Sequence, residues 1–254
     1  MKTIQNISYG RAGSEANLLD LYLPDGPAPR AMIYFHGGGL EGGDKADARV
    51  HAEALTGRGV ALVSANYHLY PEAKFPDFIE DAAQALRKAM NLLQGEIYVG
   101  GSSAGAYLAM MLFLDRRWLD RAGVDATRVR GWLFDAAQPT THFNVLRERG
   151  MDPRLVRLDE AAPMYFVSPD RFAGGEQPRV LVLAADRDIP GRLEQNLLLI
   201  RTMEAMGFPS GRIRFLLMEN SGHCEYDDKP VFARLMGDFV CGELSAEGHV
   251  DGGM

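Results

Sequence analysis

Gly101-Ser102-Ser103-Ala104-Gly105 follows the apolar run Ile97-Tyr98-Val99 and opens directly into an Ala-, Leu- and Met-rich stretch that ends at Leu114. The spacing G-x-S-x-G has a steric reason. A serine on a sharp strand-to-helix turn leaves no room for a Cβ two residues before or after it. Such a turn lifts a hydroxyl clear of the backbone, so Ser103 is the candidate nucleophile. Upstream, Ala31-Met32-Ile33-Tyr34-Phe35 empties into His36-Gly37-Gly38-Gly39. Consecutive glycines leave backbone N–H groups free to face one point. Joined there by the N–H of Ala104, they would hold a developing negative oxygen. Gly38 and Gly39 are the first choices for this oxyanion hole, with Gly37 third.

A serine and an oxyanion loop make acyl transfer the expected chemistry, which needs a base and an acid to orient it. Both follow the serine in the order acid, then histidine, that accompanies this elbow. The apolar run Arg179 to Ala185 ends in Asp186-Arg187-Asp188-Ile189-Pro190, placing two carboxylates where ligands bind on parallel sheets. Asp188, further into the loop and before Pro190, is the preferred orienting acid. Asp186 is the alternative, or else caps the loop or pairs with Arg187. A later run, Arg212 to Met218, precedes Glu219-Asn220-Ser221-Gly222-His223, and His223 is the candidate base. The other histidines have plainer readings. His51 lies in a polar helix, His68 after a strand, His142 in an insert and His249 in a Gly-rich tail, while His36 braces the oxyanion loop.

These residues need a scaffold, and strand-like runs alternating with helical patterns predict an α/β fold with a mostly parallel sheet covered on both faces. Strands are expected over 18–23, 31–35, 59–64, 131–136, 179–185 and 212–218, with one before the elbow. Helices are expected over 45–58, 77–93, 103–114, 191–206 and 230–243, that after the elbow being amphipathic. The chain reads as one domain, residues 1–254. Segment 138–171, with four prolines and many apolar residues, is too long for a tight connection and predicts a small helical cap. Its Phe143, Met164 and Tyr165 are placed nearest the substrate, and residues 244–254 read as a flexible tail.

The chain resembles an α/β-hydrolase, and within that superfamily the hormone-sensitive-lipase-like esterases and their small carboxylesterase relatives. Besides the two glycine motifs, Asn66-Tyr67-His68-Leu69-Tyr70-Pro71-Glu72 and Phe75-Pro76-Asp77-Phe78-Ile79-Glu80-Asp81 carry the likeness, which runs over residues 18–242. There are two departures. The acidic residue usual before the nucleophile is Ser102, and a long helical amino-terminal cap is missing, which implies an open acyl pocket. The resemblance implies hydrolysis of short-chain carboxylic esters through Ser103, Asp188 and His223. Amidase or formamidase action on the same parts is the alternative. A ligand-binding protein without turnover is the rival from another class, since fold alone never proves function.

Composition fits this reading. With 254 residues, 46% hydrophobic and 24% charged, the chain can bury one sizeable core. A formal charge of −7 and the lack of any Lys/Arg block argue against nucleic acid. The start lacks an apolar leader and no stretch could span a bilayer, so a cytoplasmic location is expected. Cys224 and Cys241 would stay reduced there. Neither metal nor cofactor is expected: Glu225, Asp227 and Asp228 beside His223 read as a solvated loop. The expected partner is a small-molecule ester, and homodimerisation through an edge strand or helix is left open.

Overall fold

A computed structural model of the chain describes residues 1–10, 14–244 and 248–252. Its centre is a nine-stranded sheet in the order β1-β2-β4-β3-β5-β6-β7-β8-β9. The strands are β1 Lys2–Ser8, β2 Leu18–Leu23, β3 Arg30–Phe35, β4 Val60–Ala65, β5 Glu96–Ser102, β6 Val129–Asp135, β7 Arg179–Arg187, β8 Ile213–Gly222 and β9 His249–Asp251. Only the pairs β1/β2 and β2/β4 are antiparallel. From β4 onward every ladder is parallel.

A parallel sheet is covered on both faces, so its central strands read as continuous apolar runs and not as alternation. β4 is buried at all six positions. The period of two survives in which core each residue joins. Ala31, Ile33 and Phe35 of β3 pack on one side with helices α2 Asp77–Leu92, α3 Ala104–Leu114 and α7 Arg192–Ala205. Met32 and Tyr34 pack on the other with α1 Arg49–Thr56 and α8 Pro230–Cys241. Among the described residues three shorter helices complete the set: α4 Arg117–Ala122, α5 Phe143–Glu148 and α6 Pro169–Phe172.

Four expectations need amendment. The helix after the elbow is not amphipathic, because all eleven residues of α3 are buried. The sheet lies on one side of it, α2 and the segment around Ala161 on the other, and the Tyr107 hydroxyl donates to the Ala161 carbonyl at 2.8 Å. The helix expected over 45–58 is a 3-10 turn, Lys45–Ala48, followed by α1, with Asp44 capping the turn. Strand β1 was not expected at all. Within 244–254, residues 245–247 and 253–254 lie outside the described residues, but His249–Asp251 pair with Leu217–Glu219 as β9 and are no loose tail.

Candidate active site

The elbow is built by backbone packing. Phe35 of β3 lies opposite Gly101 of β5 in the parallel ladder. A Cβ on Gly101 would come within 2.4 Å of the Phe35 carbonyl oxygen, and one on Gly105 within 2.0 Å of the same atom. Only hydrogen fits at either place, which is what the glycine spacing predicts. Between them Ser103 takes φ 52° and ψ −112°, a conformation that L-residues seldom adopt. It is held from both sides, since the Ser103 N–H donates to the Asp135 carbonyl at 2.8 Å and the Ser103 carbonyl accepts from Tyr107 at 2.9 Å.

Strands β7 and β8, neighbours in the sheet, bring Asp188 and His223 to the same edge. His223 Nε2 lies 2.8 Å from Ser103 Oγ, and His223 Nδ1 lies 2.6 Å from Asp188 Oδ1. An ionised carboxylate can only accept, so Nδ1 carries the proton and Nε2 presents its lone pair to the serine hydroxyl. The Asp188 side chain is 1% exposed, and its Oδ1 also accepts from the Ile189 N–H at 2.6 Å. Asp186 is not in this array. Its two oxygens accept from the backbone N–H groups of Asn220 and Ser221, both at 3.0 Å. These bonds hold its carboxyl below the usual carboxylate range.

The glycine loop lies against the elbow: a Cβ on Gly37 would be 3.5 Å from that of Ser103. Gly38 and Gly39 take φ of +99° and +66°, and a Cβ on Gly39 would meet the Phe143 ring at 2.9 Å. Among the described residues, nothing accepts from the N–H groups of Gly38, Gly39 or Ala104. Ala104 also opens α3, where the helix dipole favours negative charge. His36 supports the loop from behind. Its Nδ1 donates to the Gly37 carbonyl at 2.8 Å, its ring stacks on Tyr67 at 4.4 Å, and Tyr67 O–H donates to the His36 carbonyl at 2.9 Å. Burial lowers the His36 pKa, so the ring is neutral at pH 7.

Some residues at the site carried no readable signal. Asn144 Nδ2 donates to the Gly39 carbonyl at 2.9 Å across 105 residues, fixing one peptide of the loop. His142 is buried between Tyr107 and Phe143, and burial drives its pKa well down. Arg192 is buried with its Nη1 on the Ala136 carbonyl. Asp135, inside the strand expected over 131–136, is the buried last residue of β6. Cys224, adjacent to His223, turns its thiol to Asp135 at 3.9 Å, and burial pushes its pKa well up. It holds little thiolate for attack.

Of the residues expected nearest the substrate, Phe143 is at the loop and Met164 is buried in the core. Tyr165 is elsewhere. It is 59% exposed and packs on Phe166, which lies under Arg117 beyond the carboxyl end of α3. At 1.5 Å per residue that end is about 16 Å from Ser103. Concavities of about 1050 Å³, lined by Arg30, Glu96 and Arg179, and about 590 Å³, lined by His68 and Trp118, lie away from Ser103. Neither holds a nucleophile beside a base, so chemistry and not volume marks the site. Among the described residues no three His, Cys, Asp or Glu side chains are placed to hold a metal, and no helix is long and apolar enough to cross a membrane.

A family model described as BD-FAE matches residues 19–126, the stretch with the glycine loop and the elbow. Kynurenine formamidase of Danio rerio is 30% identical over 118 residues, 44% of this chain and 39% of that protein. Esterase LipI of Mycobacterium tuberculosis is 35% identical over 99 residues, 35% of this chain and 30% of that protein. The matches thus span well under half the length of these curated relatives. A thermophilic esterase of Thermogutta terrifontis, solved with propionate bound, superposes with a TM-score of 0.72 at 21% identity, covering 96% of both chains. A hyperthermophilic esterase of the archaeon Pyrobaculum calidifontis gives 0.68 at 22% identity, covering 96% of this chain and 87% of that one. This sheet order, this glycine loop and this elbow give the chain the α/β-hydrolase fold of these solved esterases.

Proposed function

We propose that the chain is a serine hydrolase that cleaves carboxylic esters of short-chain acids through an acyl-enzyme. The observation that carries this is the unbroken line from Ser103 Oγ to His223 Nε2 at 2.8 Å and from His223 Nδ1 to Asp188 at 2.6 Å, set at a strained elbow. His223 takes the Ser103 proton as Oγ attacks the ester carbonyl, and the N–H groups of Gly38, Gly39 and Ala104 hold the oxyanion. The imidazolium so formed faces the Asp188 carboxylate and gives its proton to the departing alcohol. Water, activated by the same ring, then attacks the acyl-enzyme and releases Ser103. Segment 138–171 acts as a small cap on the one domain, and the two free cysteines suit a reducing, cytoplasmic setting.

Phe143 over Gly39 supports a short acyl site. A buried methylene contributes about 0.8 kcal/mol only where the pocket encloses it. With purified protein and a graded series of acyl esters, kcat/KM should peak between acetyl and butyryl and fall beyond. A rate still climbing at octanoyl would contradict the short-chain assignment. The second reading is amide or formamide hydrolysis, favoured by the formamidase relative. Matched anilides and formamides in the same assay decide between the two, and absence of turnover on the whole panel would favour a ligand-binding role.

A further inference from the structure

Asp135 closes β6, the strand between those that deliver Ser103 and Asp188. It is wholly buried, yet it reaches both halves of the site. Its backbone carbonyl accepts the Ser103 N–H at 2.8 Å. One carboxyl oxygen accepts from Ser102 Oγ at 2.5 Å, and Tyr34 Oη lies 2.7 Å from that hydroxyl. The other carboxyl oxygen accepts from Tyr226 Oη at 2.5 Å. Ser102 is the residue before the nucleophile, and Tyr226 lies three residues after the base. A single side chain therefore joins the turn that carries Ser103 to the loop that carries His223. Its carboxyl is hydrogen-bonded to neither Ser103 Oγ nor the His223 ring.

We propose that Asp135 is a positioning residue of the reaction, fixing the separation of Ser103 and His223 by gripping Ser102 and Tyr226 at once. This rests on the esterase reading given above. An ionised carboxylate accepts from both hydroxyls. A protonated one must donate its own proton, so one of the two bonds reverses or breaks and the turn and the loop are no longer held alike. Burial raises the Asp135 pKa to about 7, which puts this exchange in the neutral range. The other titratable and charged groups facing it are Tyr34 of β3, His223, Cys224, Tyr226 and Asp227 after β8, and Asp188 after β7, with Arg192 of α7 and His51 of α1 behind them. Burial raises Asp227 to about 6, so an Asp227→Asn control separates its titration from that of Asp135.

The test is the pH profile of ester hydrolysis. In the wild type the acid limb of log kcat/KM should approach a slope of two, one proton for the general base and one for Asp135. In Asp135→Asn the slope should fall to one and kcat should drop about 100-fold with KM nearly unchanged, the cost of misplacing reacting groups by about 1 Å. Asp227→Asn should keep the slope of two. A slope of one in the wild type, or a kcat unchanged in Asp135→Asn, overturns the proposal. Should Asp135→Asn not fold, Tyr226→Phe cuts one tie and keeps the carboxyl, and it should lower kcat several-fold and move the second ionisation upward. No change in either would be equally fatal. If the wild type hydrolyses no ester, the esterase reading fails by itself. The rate at which a fluorophosphonate labels Ser103 then reads the same pair, and equal rates in wild type and Asp135→Asn at every pH overturn the role of Asp135.

Discussion

Ser103→Ala should lower kcat by about 10⁶ while the protein stays folded, the loss that follows removal of a nucleophile from a serine triad. The size follows from the geometry. No other hydroxyl among the described residues is bonded to His223 Nε2, so what survives is the binding and oxyanion contribution alone. Ser102→Ala is the control. Its hydroxyl is bonded to Asp135 and Tyr34 and not to His223, and the rate should fall by about tenfold, as expected for the loss of a hydrogen bond to a charged group, about 1.5 kcal/mol. Equal melting temperatures establish folding, and mass spectrometry after phosphonate labelling locates the adduct. An adduct on any residue other than Ser103 would refute the assignment.

Asp188→Asn should cost about 10⁴ in kcat with the site geometry intact. The asparagine amide would donate where the carboxylate accepts, so Nδ1 would take the lone pair and the proton would move to Nε2. That nitrogen could then no longer accept from Ser103. Asp186→Asn should behave differently, because Asp186 serves the backbone of Asn220 and Ser221 and does not touch the ring. It should leave kcat within a few-fold. Since these bonds lower the Asp186 pKa, its contribution to stability is present above the ordinary carboxyl value of about 4 and fades as pH falls through the lowered one. A large kcat loss in Asp186→Asn with Asp188→Asn near wild type would reverse the two roles.

The parts that could be read from sequence are those whose constraint is local. Gly101, Gly105 and Gly39 are there because a Cβ would strike a particular atom, and apolar runs such as that of β4 announce burial on both faces. Asp188 could be preferred over Asp186 because it lies further into the loop after the apolar run, just before Pro190. The missed parts have definable reasons. Strand β1 has two apolar residues, Ile4 and Ile7, and a register shift between them breaks the period of two. Strand β9 is three residues long, too short for any period. Asn144 meets Gly39 from 105 positions away, and nothing in its neighbourhood along the chain foretells that bond. The helix after the elbow was misread although its own composition, without a charged residue from Ala104 to Leu114, already signals burial all round.

The backbone of Ser103 sets chemistry against stability. Its φ and ψ, 52° and −112°, match the first central position of a type II′ turn, a place that glycine occupies freely. A side-chain-bearing residue there costs about 1–3 kcal/mol. Glycine would relieve that strain and give back about 0.4–1 kcal/mol through the larger freedom of the unfolded chain. Ser103→Gly should therefore raise the unfolding free energy by about 1 kcal/mol, read as a higher denaturant midpoint at unchanged slope, while ending hydrolysis. Variants selected only for thermal resistance would drift toward a glycine at this turn, and only the requirement for a hydroxyl at the head of α3 would keep the serine in place.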